Sequence, residues 1–421
     1  MSKGYQKIYA IIFLLMLFGF SGFNIAYNWD SLVSDTKESI DVDKIFSDLK
    51  NDYDITSLEE STQTLNTIVN SDFVGGHFWN EFYGATYAVL GKNEENNFSY
   101  IKDKDGIEYY ANFWNTPDIS MKELAQRMRR MQEDLEPEGT KVILLFYPTR
   151  YDEEWSDGYY GMPYQDYNEY ADELLRYVRR YGIDYIDYRE VFNSKDFEGK
   201  EMFFKTDHHW NTQTAFFATT ELVRHIRDTY GEDLDPERKY CNMNNYYIDV
   251  YKNAFMGSMG REVGEIYGGL DDYVLFTPKF STSVRYSFIT ASRNQVEMKG
   301  TFNNTLIQKG PFQKNDAYEK DLNNVLINGV QLYDEIINEK AENDVSVMFI
   351  RNSYSSPVAV FLTPMVERID MVWGLNLSEE EITERLKANR HDYVFIAVNV
   401  DNLDNEGNFS FYTEDTEVGD E

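Results

Sequence analysis

Three short apolar runs, at residues 142–146, 345–350 and 393–398, constrain the fold of this chain more than any other feature. A strand with one wet face alternates apolar and polar residues. A nearly continuous run reads instead as a strand covered on both faces, the signature of a parallel sheet between helices. Shorter strand patterns occur at 183–187 and 368–373. Helical patterns fall between them, at 121–135, 167–181, 212–230 (with Gly231 as its stop) and 378–390, which opens Ser-Glu-Glu-Glu as the helix dipole favours. Alternating strands and helices predict a three-layer α/β domain with a mostly parallel sheet.

The alternation is interrupted between about 240 and 343. That stretch is rich in Asn, Gly, Tyr and Thr, and it reads as a β-rich insertion on the face where the loops gather. An earlier segment, 98–113, carries Asp105-Gly106 between short β-rich runs, a hairpin signal. Its Asp-x-Asp-Gly also hints at calcium, but the remaining ligands and the closing Glu of an EF-hand loop are missing.

Residues 8–27 form an apolar run of about 20 residues without a charge, enough at about 1.5 Å per residue to span about 30 Å of hydrocarbon. Lys3 and Lys7 precede it; Asp30, Asp35 and Glu38 follow. The positive-inside rule then puts the N-terminus in the cytoplasm and the rest outside. A cleaved signal peptide is the competing reading, but the run is long for one and no Ala-x-Ala site follows it. The expected organisation is a stub and transmembrane anchor (1–29), an acidic stalk (30–71), the α/β domain (72–403) and an acidic, solvated tail (404–421). Residues 401–421 hold eight acids and no base.

The formal charge is −33, which repels phosphate backbones and excludes nucleic acid as a partner. With one cysteine, Cys241, no internal disulfide is available. Aromatic residues make up 16% of the chain, serving as core filling or as stacking surfaces for sugars.

Chemistry concentrates at Thr206-Asp207-His208-His209-Trp210-Asn211. Asp207 stands two residues before His209, so it can orient the imidazole and stabilise its charged form. Ser353 follows an apolar strand and precedes a helical pattern, at the carboxyl end of the sheet where α/β folds gather their chemistry. On such a turn the next amide can donate to an oxyanion. No Gly-x-Ser-x-Gly is present, which disfavours an ordinary α/β-hydrolase elbow. A Ser there also suits a helix N-cap, and the His pair also suits a structural role. A metal site would use Asp207, His208 and His209, but adjacent His residues on a turn are expected to point apart, and no further His or Cys cluster supplies ligands. Neither a metal nor a cofactor is expected. Trp210 either packs the turn or walls an acyl or sugar pocket.

These residues carry a resemblance. Thr-Asp-His-His-Trp-Asn, followed much later by Asn352-Ser353-Tyr354-Ser355, resembles the DHHW family of membrane-anchored bacterial surface proteins, which are similar to the SGNH hydrolase-like (flavodoxin-like) domains of alginate O-acetyltransferases. Asp103-Lys104-Asp105-Gly106, Tyr147-Pro148-Thr149-Arg150 and the last strand also fall where that family has counterparts. The resemblance covers roughly 72–403. It implies Asp207 as the orienting acid, His209 as general base and Ser353 as nucleophile, with His208 at the variable position of Asp-x-His-Trp. Asn352, Tyr354, Trp210, His208 and Asn399 are the associated substrate or oxyanion candidates. Arg351 departs from the Gly of the alginate proteins, and Asn352 from their Asp or Thr. The implied function is an O-acetyltransferase or acetylesterase on cell-surface polysaccharide, partnered by a polytopic membrane acyltransferase. The rival is a non-catalytic polysaccharide-binding or assembly component with the same fold.

Overall fold

The computed structural model describes residues 18–19, 22–29, 32–34, 36, 75–95, 98–110, 116–150, 167–194 and 199–413. The chain divides into two units, Met1–Tyr83 and Gly84–Glu421. In the first, helical hydrogen bonds join Asn28 N–H to the Asn24 carbonyl (3.0 Å) and Leu32 N–H to that of Asn28 (2.9 Å). Among the described residues no helix is long and apolar enough to cross a membrane. The span expected at 8–27 lies largely outside them, as does the stalk.

In chain order the elements are α1 (Gly76–Leu90), then β1 (Glu94–Glu95), β2 (Tyr100–Lys102) and β3 (Glu108–Tyr110). Next come α2 (Met121–Leu135), β4 (Lys141–Tyr147), α3 (Asn168–Arg180), β5 (Asp184–Asp187) and α4 (Thr212–Tyr230). The insertion contributes β6 (Tyr246–Phe255), α5 (Ser258–Val263), β7 (Asp271–Pro278), β8 (Val284–Ile289), β9 (Gln295–Gly300) and β10 (Tyr333–Asn338). The chain closes with β11 (Ser346–Arg351), α6 (Ser355–Leu362), β12 (Arg368–Trp373), α7 (Glu379–Ala388) and β13 (Tyr393–Asn399).

The main sheet has eight strands in the order β5-β4-β13-β11-β12-β10-β8-β9. The five from β5 to β12 are mutually parallel. Alternate side chains of these strands enter two cores. Ile143, Leu145, Val347, Phe349 and Phe395 meet α4 and α6 on one face. Val142, Leu144, Met348, Ile350, Val394 and Ile396 meet α2, α3 and α7 on the other. Burial on both faces, at about 1.5–3 kcal/mol per large apolar side chain, is why these strands read as continuous apolar runs. The helices start and stop where their caps dictate. Ser120 caps α2, Asn211 caps α4, Gly231 ends α4 at φ 77°, and Ser378 with Glu381 forms a capping box on α7.

The sheet is mixed, its parallel part extended by an antiparallel one. Strands β10, β8 and β9 add to its edge in antiparallel fashion. These belong to the insertion, so much of it widens the sheet instead of covering the loop face. The cause is visible in β10, where Asp334, Ile336 and Asn338 are buried and their neighbours half-exposed. That one-sided alternation suits an antiparallel strand. The expected 98–113 hairpin is formed by β2 and β3, turning at Gly106 with φ 77°. Asp103 closes it by accepting from Asp105 N–H, Ile107 N–H and Tyr109 O–H, so its carboxylate serves the turn.

The solvated-tail expectation fails for 404–413. Phe409 and Phe411 are buried in the second core, and Arg127 donates to the Phe409 carbonyl at 2.9 Å. Two aromatic residues outweigh the surrounding acids there. The rest of the tail lies outside the described residues.

Candidate active site

Ser353 sits where β11 turns into α6, at the carboxyl end of a central parallel strand. The turn is fixed from below by Arg351. Its guanidinium pairs with Asp334 of β10, both side chains fully buried, and donates to Ser356 Oγ (2.9 Å) and the Gln331 carbonyl (3.0 Å). Asp334 also accepts from Tyr286 O–H at 2.6 Å. Burial pushes the Asp334 carboxyl up, against the pull of Arg351. The N–H groups of Ser353 and Tyr354 lie just ahead of the first turn of α6, where no intrahelical acceptor exists.

The second arm is the loop between 203 and 211. A bridge between Phe203 and Trp210, together with Asn211 N–H to the Met202 carbonyl (2.8 Å), closes it. The loop backbone is then clamped from outside. Asp271 accepts from Lys205 N–H (2.7 Å), Thr206 N–H (2.9 Å) and Thr206 O–H (2.7 Å). The buried Arg150 donates to the carbonyls of Glu108, Lys205 and Asp207. Gly257 N–H donates to Thr206 Oγ1 at 2.8 Å, and a Cβ on Gly257 would collide with Asp207 Cβ and the Thr206 carbonyl.

Held this way, Asp207 is wholly buried and meets His209 Nδ1 at 2.6 Å through Oδ1. Across the same ring, His209 Nε2 is 2.7 Å from Ser353 Oγ. With the proton on Nδ1 directed to the carboxylate, Nε2 is the lone pair that accepts from the serine hydroxyl. Burial alone would raise the Asp207 carboxyl. Electrostatic attraction to the His209 and His208 rings, with the side-chain and backbone hydrogen bonds from His209, outweighs it and holds the carboxyl well below its ordinary value. His208 Nδ1 lies 3.3 Å from Ser258 Oγ, and its ring centroid is 3.9 Å from that of His209. Burial and the charge of His209 lower the His208 imidazole, so it stays neutral.

The other candidates divide. Tyr354 is buried, donates its O–H to the His208 carbonyl, and sets its ring 5.2 Å from that of His209. Trp210 is buried against Tyr147, Tyr188 and Tyr354, and it also lines the pocket described below. Asn352 turns its amide away to Asn402 Oδ1 at 2.8 Å, so it supports the turn rather than facing an oxyanion. Asn399, at the end of β13, is buried, and its backbone N–H donates to the same Asn402 oxygen at 3.2 Å.

Asp207, His208 and His209 do not point apart. Their ligand-capable atoms lie within 4.8 Å of one another. The tight loop folds the two rings together, which the sequence argument overlooked. Yet Asp207 Oδ1 serves His209, while Oδ2 accepts from Ser258 N–H (2.8 Å) and Asn323 Nδ2 (2.9 Å). A cation there would have to displace these donors.

Beside Ser353 and His209 opens a pocket of about 160 Å³, walled by Phe204, Trp210, Tyr273, Leu322 and Pro357, with Asn323 at its polar side. A mostly apolar wall next to a nucleophile suits a small acyl group.

Residues 111–245 match the sequence profile of the SGNH hydrolase-like domain of the acetyltransferase AlgX. Over those residues the chain is similar to that domain. PatB1 of Bacillus cereus, solved with a sulfonyl adduct, superposes with a TM-score of 0.57 at 15% identity, over 74% of this chain and 97% of that one. A DHHW family protein from Eubacterium siraeum superposes with a TM-score of 0.54 at 14% identity, over 74% and 94%. No curated protein sequence matches the chain. The likeness to these structures is one of fold. The SGNH-like profile contains Asp207, His208 and His209 but ends 108 residues before Ser353 (353 less 245), so only the fold joins them.

Five residues that serve this site were not singled out from the sequence: Ser258, Gly257, Asn323 and Asp271 in the insertion, and Arg150 as a side chain. Arg150 stood at the end of the Tyr-Pro-Thr-Arg strand, and an Arg closing an apolar strand was the available signal. The insertion residues act through two backbone N–H groups, one hydroxyl, one amide, one carboxylate and a missing Cβ, none of which has a spacing pattern.

Proposed function

We propose that this protein is an extracytoplasmic, membrane-tethered O-acetyltransferase, or an acetylesterase, acting on cell-surface polysaccharide through Ser353, His209 and Asp207. The observation that carries the reading is the hydrogen-bonded line from Asp207 through His209 to Ser353, with contacts of 2.6 and 2.7 Å. Nucleophile and base within hydrogen-bond reach, and the base oriented by a third group, is the arrangement acyl transfer needs.

Ser353 Oγ attacks the acyl carbonyl while His209 Nε2 takes its proton. The carbonyl π electrons move to oxygen, and the Ser353 and Tyr354 N–H groups ahead of α6 stabilise that charge. Collapse expels the donor's leaving group, which takes the proton from His209, and leaves acetyl-Ser353. An acceptor hydroxyl then gives its proton to His209 and attacks the ester; collapse expels Ser353 Oγ, which takes that proton back from His209, and yields the acetylated acceptor. A sugar hydroxyl makes the reaction a transfer and water makes it hydrolysis. Asp207 holds the His209 tautomer throughout and stabilises each imidazolium. The apolar pocket wall excludes water from the acyl group. A donor outside the cell requires a supplier, proposed as a polytopic membrane acyltransferase, with the N-terminal apolar run as anchor.

The test is hydrolysis of p-nitrophenyl acetate by the full chain beside Ser353→Ala and His209→Ala. Activity lost in both variants supports the reading. Equal background rates in all three favour a binding component that keeps the fold.

A further inference from the structure

Two separate stretches of the insertion converge on one carboxylate oxygen. Ser258 N–H, at the start of α5, and Asn323 Nδ2 donate to Asp207 Oδ2 at 2.8 and 2.9 Å. Asn323 belongs to a short 3-10 turn, Leu322–Val325, whose Leu322 and Val325 are buried anchors. Backbone bonds from Gln308 N–H to the Val325 carbonyl (2.7 Å) and from Ile327 N–H to the Leu306 carbonyl (2.8 Å) hold that turn in place. Arg261 of α5 approaches Asp321, two residues before Asn323, at 3.7 Å. The two arms are thus linked to each other as well as to Asp207. Among the described residues, Asn323 and His209 are the two side chains that both bond Asp207 and line the pocket beside Ser353.

We propose that Asn323 is a positioning residue of the proposed triad: it fixes Asp207 from the insertion side, so that whatever fills the acyl pocket packs against the same turn that aims the acid. The inference rests on the acyl-transfer reading of Ser353. An amide suits this role because it donates without adding charge. An aspartate at 323 would set two carboxylates face to face and drive one of them to bind a proton. The amide also draws charge from Asp207 and so moderates its pull on the His209 imidazolium. Losing it leaves Asp207 freer to swing away from His209.

The charged and titratable groups facing this pair are known by position. They are His208 beside His209, Arg150 on the Asp207 carbonyl, Tyr354 under the His209 ring, and Tyr110 against the His208 ring. Asp401 acts electrostatically on Tyr354 and Tyr110. Removing the Asn323 amide alters none of them directly.

The experiment compares the full-length chain with Asn323→Ala and Asn323→Asp. Esterase kinetics against pH are measured alongside the His209 titration followed by nitrogen NMR. Asn323→Ala should lower kcat roughly ten- to hundredfold, the loss of one hydrogen bond to a charged group. KM should change less, and both the acid limb of the rate profile and the NMR midpoint of His209 should move from their wild-type positions. Asn323→Asp should lose more at neutral pH. A His209 midpoint unmoved in Asn323→Ala overturns the proposal, even if the variant is less stable. The NMR reading does not need turnover. A wild type without esterase activity would therefore defeat the acyl-transfer reading alone, while an unmoved midpoint would defeat the role of Asn323.

Discussion

Ser353 Oγ lies 2.7 Å from His209 Nε2, although 144 residues separate the two in sequence. The contact exists because two rigid devices meet beyond the carboxyl ends of the parallel strands. One is the strand–turn–helix of β11 and α6, and the other is the clamped loop ahead of α4. Each is secured by buried charge or by backbone hydrogen bonds, and each can be tested.

Acid should weaken the fold through Asp207. Its carboxyl in the folded protein lies well below the usual value of about 3.9 for an unfolded chain. It therefore contributes stability above about pH 4, and that contribution is lost as pH falls further through the folded value. Asp370, lowered by His391 and Arg368 despite burial, acts in the same direction. Urea unfolding at pH 6 and pH 3 should show a marked loss in the wild type and a smaller one in Asp207→Asn. Equal losses would contradict this.

Arg351 should prove structural. Arg351→Ala leaves Asp334 buried without its cation, which should cost about 3–5 kcal/mol in urea unfolding. Replacing both with apolar residues, as in Arg351→Met with Asp334→Leu, should cost less than the single change. A loss below about 1 kcal/mol for Arg351→Ala would remove the pair from this account.

Gly257→Ala should damage the site more than the fold. The new Cβ collides with Asp207 and the Thr206 carbonyl, so the loop must shift. Overpacking of this kind costs about 1–3 kcal/mol. The esterase rate should fall by more than tenfold while the far-ultraviolet circular dichroism spectrum stays unchanged. A rate within twofold of wild type would show that the loop tolerates the shift.

Phe411→Ala should destabilise by about 3–5 kcal/mol, as deletion of a fully buried aromatic does. Thermal melting and urea unfolding read this directly. No change would restore the solvated-tail reading of that segment.

The parallel half of the fold was legible because Ile143, Phe349 and Phe395 belong to strands buried on both faces, and such strands leave unbroken apolar runs. Helix α4 was legible to the residue, since Asn211 and Gly231 mark its ends chemically. Asp207 and His209 were legible because they sit two residues apart, and Ser353 because a strand precedes it and a helix follows. The antiparallel half was obscured by its composition, which resembles loop. Phe409 and Phe411 were hidden among acids. Ser258 and Asn323 left no trace, since one acts through its backbone and a lone hydroxyl and the other through a single amide. The meeting of His208 and His209 followed from the loop's curvature, which adjacency alone does not reveal.

The most direct test of the central claim is covalent. The full chain is treated with a sulfonyl fluoride, digested and mapped by mass spectrometry, beside His209→Ala. The account predicts a single modified serine, Ser353, in the wild type, with labelling strongly reduced in His209→Ala. Labelling spread over several serines, or equal in the variant, would contradict an activated nucleophile at Ser353.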